Sequence, residues 1–177
     1  MKILGIMFLV LFVAVAAVLT YAASRPDDFR VERSASINAT PEKIFPLIND
    51  LQAWRGWSPY ERLDPAMKRT HSGAASGKGA VYAWDGNQNA GAGRMEIVES
   101  SPPSKLVIKL DFSRPFEGHN TSEFTLEPRG NATGITWAMY GRKPFAAKLM
   151  GIFVNTDNMI GRDFETGLAN LKALAER

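Results

Sequence analysis

The chain has 177 residues, 45% hydrophobic and 22% charged, an ordinary composition for one globular domain with a short appendage. Its 21 basic residues are interspersed with 18 acidic ones and form no block of five like charges, which argues against a dedicated nucleic-acid surface despite a pI near 9.3. There is no cysteine, so disulfides, thiol catalysis and cysteine-ligated metals are excluded.

The first element is apolar. Ile3 to Ala23 runs 21 residues without a charge between Lys2 and Arg25. As a helix it would be about 30 Å long, enough to cross a bilayer core. A cleaved secretory signal is the rival reading, with a small-x-small site at Thr20 and Ala22, although such apolar regions usually run about 7–15 residues. The expected organisation is an anchor or signal over residues 1–24 and a folded domain over 25–177. The N-terminal amine and Lys2 favour a cytoplasmic N-terminus, whereas Arg25, Arg30 and Arg33 pull the other way. The balance leans towards a single-pass inner-membrane protein whose domain faces the periplasm or exterior.

After a linker at Ser24 to Asp28, Phe29 to Ile37 alternates as a strand, with Arg33 the exception on its apolar face. Thr40-Pro41 predicts a capping hydroxyl and a proline at the first helical position, opening a helix towards Asp50. A second helical turn is expected over Leu51 to Trp54. Strands are then expected at Met67–His71, Ala80–Trp84, Gly93–Glu99, Leu106–Phe112, Thr121–Glu127 and Thr133–Tyr140, a half-buried antiparallel meander separated by Gly, Pro and Asn turns. Pro144 opens an apolar segment to Val154. A long amphipathic helix runs from about Asp157 to Glu176, with Ile160, Phe164, Leu168, Leu171 and Leu174 in one stripe. Gly161 and Gly167 interrupt that stripe at up to about 1 kcal/mol each, so they should serve close packing, bending or space.

This order of elements is carried by SINATPEKIFPLINDLQAWRGWSP near the start, YAWDGN and GAGRMEI in the middle, and IGRDFETGLANLKAL at the end. Together they resemble the helix-grip superfamily of START-like domains, and within it the bacterial polyketide cyclase/dehydrase-like branch, the SRPBCC proteins. The resemblance implies an α+β fold in which a curved antiparallel sheet wraps around a long C-terminal helix, here preceded by a transmembrane helix. It also places the W-x-x-W-S-P segment at a cavity rim. There Trp54 is expected to pack the small helices on the sheet edge, and Trp57 and Tyr60 either to pack with it or to face the cavity mouth.

Catalytic and metal signals are weak. His71 and His119 lie far apart without metal-ligand spacing, the Gly77-Lys78-Gly79 and Gly91-Ala92-Gly93 segments lack phosphate-loop patterns, and Ser58 lacks a nucleophile elbow. No cofactor is expected. Arg94 and Glu96 share one strand face and point either into the cavity, as an ion pair or acid/base couple, or onto the wet convex side. Asp163 and Glu165 read as solvated.

The apolar inventory is richer. The implied function is a membrane-tethered domain that binds a hydrophobic small molecule or lipid between sheet and C-terminal helix. The candidate contacts are Trp57, Tyr60, Tyr82, Trp84, Phe112, Trp137, Met139, Phe153 and Phe164, with Arg94 or Glu96 orienting a polar head. The alternatives are a cyclase or dehydratase using Glu96, Arg94 and Tyr82 for proton transfer, and a scaffold or stress-response module with a collapsed cavity.

Overall fold

The computed structural model describes residues 2–152 and 155–177. Helix α1 (Lys2–Ser24) leads into strand β1 (Asp28–Ile37), helix α2 (Pro41–Asn49) and two 3-10 turns, Ala53–Gly56 and Pro59–Arg62. Strands β2 (Lys68–Gly73), β3 (Ala80–Asp85), β4 (Ala92–Ser101), β5 (Lys105–Arg114), β6 (Gly118–Arg129) and β7 (Ala132–Arg142) follow, then helices α3 (Phe145–Met150) and α4 (Thr156–Ala175).

The seven strands form one antiparallel sheet in the order β1-β7-β6-β5-β4-β3-β2, so the first strand closes against the last. The period-two pattern sends Val31, Ile37, Ile97, Ile108, Phe124, Ile135 and Trp137 to one inner face, and α4 lies across it. Gly77 and Gly79 (φ 69° and 87°) make the β2–β3 connection, a turn and not a phosphate loop. The core is the α+β helix-grip arrangement, and α1 stands apart from it, with a 21-residue apolar span (Leu4–Ser24) that is almost wholly exposed.

Two local expectations need correction. Thr40 does sit at the α2 N-cap, but its hydroxyl makes no capping bond; Pro41 at the first helical position fixes the entry instead. The turn expected at Leu51–Trp54 lies at Ala53–Gly56, because the W-x-x-W segment is organised by bonds from its indoles. Trp54 Nε1 donates to the Ile48 carbonyl at 3.0 Å and Trp57 Nε1 to the Leu47 carbonyl at 2.9 Å. Those carbonyls belong to the last turn of α2, which has no intrahelical donors to offer them. The two tryptophans are thus a C-terminal cap for α2 as well as core.

Candidate functional site

The inner face divides into two halves. In the half towards α2, Trp137 stacks on Phe164 of α4 with ring centroids 4.0 Å apart and planes 9° from parallel, and on Phe124 at 5.0 Å. Trp57 meets Trp137 edge-on at 5.5 Å and Trp54 at 4.8 Å. Trp57 is 0% exposed, and Trp137, Met139 and Phe164 are buried with it. The Trp137 indole N–H donates to Ser122 Oγ at 2.9 Å, so its one polar atom is satisfied internally. Trp57, Trp137, Met139 and Phe164 therefore fill the space between sheet and helix here; they do not line a hollow.

Two anomalies of α4 are explained by what presses against it. A Cβ at Gly167 would lie 2.7 Å from Cζ3 of Trp137, so the glycine admits that ring. Gly161 faces the Arg33 guanidinium, which reaches across the helix to Glu165 at 2.8 Å and Asp157 at 3.1 Å. Glu165 is thus an ion-pair partner as well as a solvated residue. Asp163 is half-buried near Tyr60. Burial, then the Asp163 charge, holds the Tyr60 phenol above its ordinary pKa, and burial pushes the Asp163 carboxyl up in turn. Tyr60 stays half-buried, edge-on to Trp137 at 6.4 Å.

Tyr82 belongs to a network that no spacing in the sequence announces. Its hydroxyl donates to Glu61 Oε1 at 2.5 Å, while Arg69 Nε donates to Glu61 Oε2 at 2.7 Å. Arg69 also reaches the Met67 and Glu61 carbonyls, at 2.7 and 3.0 Å. The Arg69 and Glu61 side chains are only 12% and 8% exposed, and every bond described satisfies one of them. Burial first, then the Glu61 bond and charge, raises the Tyr82 phenol above its usual value. The triad ties the Pro59–Arg62 turn to the sheet edge, and Tyr82 is neutral and engaged.

Arg94 and Glu96 lie on the other side of the sheet. They pair with each other at 2.7 Å with side chains 44% and 34% exposed, and their cross-strand neighbours on β5 are Asp111 and Lys109. The outer, wet face takes them because Met95 and Ile97 take the inner one. Of the two orientations expected for this pair, the structure shows the wet one, so neither residue lines the inner face. Phe153 lies outside the described residues.

The half of the inner face towards the start of β1 is different. Phe29, Leu110, Phe112 and Trp84 are only partly buried. The register sets Phe112 opposite Gly118 on one side and Gly93 on the other, and Phe29 opposite Gly141. Trp84 lies over Gly93, edge-on to Phe112 at 5.7 Å and 6.1 Å from Tyr82. Gly118 leaves its place in this row open, whereas the Asn120 side chain lies over Gly141. Periodicity alone does not distinguish this open aromatic end, and it groups Trp84 and Phe112 with the residues of the filled half. The glycines at 93, 118 and 141 all fall at this end of the strands, where Gly93 seats the Trp84 ring, Gly141 the Asn120 amide, and Gly118 leaves space.

Against this geometry, the chain matches a family model described as polyketide cyclase / dehydrase and lipid transport, over residues 28–176. The chain belongs to that family. It shares its fold with protein CV1439 from Chromobacterium violaceum (17% identity, TM-score 0.59, covering 86% of this chain and 99% of that one). Protein MLL2253 from Mesorhizobium loti is similar at 16% identity and TM-score 0.62, covering 84% and 98%. The Aha1 dimer from Colwellia psychrerythraea is similar at 18% identity and TM-score 0.58, covering 84% and 96%. A comparison with curated proteins finds no match. At these identities the structural likenesses establish the helix-grip fold alone. Among the described residues no group of three His, Asp or Glu side chains could hold a metal ion.

Proposed function

We propose that this family member is a membrane-tethered helix-grip domain that binds a hydrophobic small molecule or lipid at the open end of its inner face. The observation that carries the reading is the asymmetry of that face: aromatic packing fills one half, while Phe29, Trp84, Leu110 and Phe112 remain only partly buried in the other, where Gly118 adds no side chain. Partly exposed aromatic walls suit an apolar ligand whose binding comes from buried area. The family description, which includes lipid transport, agrees with that chemistry. Helix α1 is long and apolar enough to hold the domain at a bilayer, and its Thr20 hydroxyl is satisfied by the Ala16 carbonyl at 2.8 Å, as a span requires. A ligand partitioned into that bilayer is locally concentrated beside the domain.

The test is native mass spectrometry with lipid extraction on the full chain purified from membranes. A hydrophobic species that co-purifies, and is lost in Phe112→Ala or Trp84→Ala with the fold intact, supports the reading. A clean apo mass, with no species taken up from a lipid panel, overturns it.

A further inference from the structure

The end of α1 defines where a bilayer would lie, and the domain's features can be ranked by distance from it. The span ends at Ser24, and Asp28 begins β1. At that same end of the sheet lie the end of β7, the β5–β6 loop, helix α3 and the first turn of α4. It is also the end where the inner face is open. Ala22 is fully buried, α1 packs on α3, and Arg25 Nη1 donates to the Gly151 carbonyl at 3.2 Å. The junction is therefore tied to the domain.

Between α3 and the start of α4 sits a cavity of about 430 Å³ lined by Arg25, Lys143, Lys148, Gly151, Asn155 and Asp157. Its charges do not cancel. Lys148 is paired with Asp27, and Asp157 is taken by Arg33. Among the described residues Arg25 and Lys143 have no carboxylate partner; they lie against the rings of Tyr21 (5.8 Å) and Phe29 (5.9 Å). Two unneutralised cations at a membrane boundary attract an anionic headgroup, and the aromatic faces beneath them keep the cations aimed while remaining compatible with acyl chain. Apolar side chains stand around the same end: Phe145 and Met150 on α3, and Phe116 (63% exposed) at the tip of the β5–β6 loop.

We propose that this cavity receives the phosphate headgroup of an anionic phospholipid from the bilayer that α1 spans, and so docks the open end of the grip onto the membrane, with Phe116 entering the interface. This rests on reading α1 as a retained span. It does not depend on what ligand the inner face takes. Arg25 and Lys143 hold the phosphate; Phe116 belongs to the docked surface and has no part in the cavity.

The absence of cysteine allows a single label. The full chain carrying Phe116→Cys, or Asn131→Cys in the β6–β7 turn at the opposite end, is labelled with a fluorophore. It is then reconstituted into phosphatidylcholine vesicles, with or without phosphatidylglycerol, containing a lipid-borne nitroxide quencher. The expected result is quenching at position 116 with phosphatidylglycerol, weak quenching without it, and none at 131. Lys143→Ala should lower the docked-to-undocked ratio about fivefold, the effect of one basic residue near an anionic surface. Equal quenching at 116 and 131, or quenching at 116 that ignores both phosphatidylglycerol and Lys143→Ala, overturns the proposal. N-terminal sequencing of the membrane-extracted chain separates the premises. A start at Met1 with an unquenched 116 label sinks docking alone, whereas trimming after Ala22 sinks the anchor and this proposal together.

Discussion

Arg33 and the two glycines of α4 show how much a single residue type can conceal. A charged residue on an apolar strand face and two glycines in an amphipathic helix each break a pattern, and the sequence displays all three. What it cannot display is that Gly161 faces Arg33 while Gly167 faces Trp137. The two glycines should therefore respond differently to the same substitution. At Gly167 the added methyl meets a ring wedged between Phe164 and Phe124 and held by Ser122, which cannot yield. Gly167→Ala should destabilise by about 1–3 kcal/mol through overpacking, more than the roughly 1 kcal/mol gained in helix propensity. At Gly161 the obstacle is the tip of a flexible arginine that can swing into solvent. The pairs it would surrender involve carboxylates more than half exposed, so solvent already screens them. Gly161→Ala should be near neutral. Urea denaturation of the two variants checks this, and equal losses would contradict the assignment.

At the scale of elements, periodicity made most of the sheet legible, because alternating residues report which face is buried whatever the final topology. All six meander segments and the long terminal helix lie where the alternation and the stripe put them, with ends displaced by a few residues. The W-x-x-W segment resisted because its structure comes from side-chain bonds across sequence, which no period encodes. The same is true of the Arg69–Glu61–Tyr82 network and of the aromatic filling that closed half of the expected cavity. Sequence lists apolar side chains but not the distances that make them solid or hollow. The capping role of the tryptophans has a measurable consequence. The Trp54 bond to Ile48 is buried, whereas the Trp57 bond to Leu47 is only partly so and water can replace it. Trp54→Phe should therefore cost about 1–3 kcal/mol for the stranded carbonyl, beyond the packing loss common to both variants, and Trp57→Phe should cost less. The reverse order in chemical denaturation would show that α2 is held by ring packing and not by its cap.

For the whole molecule, the question is how far α1 belongs to the domain it precedes. Its apolar span is only 6% buried, and among the described residues of α1 Ala22 alone is fully buried, so the sheet and α4 draw almost nothing from it. Helix α3 is different: it is six residues long, packs on α1, and places Gly151 under Arg25. A helix of that length has little stability of its own and depends on its neighbours. A chain of residues 25–177 should then lose the far-ultraviolet signal of one long helix while keeping its thermal midpoint close to that of the full chain. Hydrogen exchange should report the difference locally, with faster exchange over Phe145–Met150 and unchanged protection in β6, β7 and α4. A large fall in the midpoint would mean that α1 is part of the fold. Unchanged exchange in α3 would mean that the α1–α3 contact is incidental, and the proposed docking of the open end would lose its structural basis.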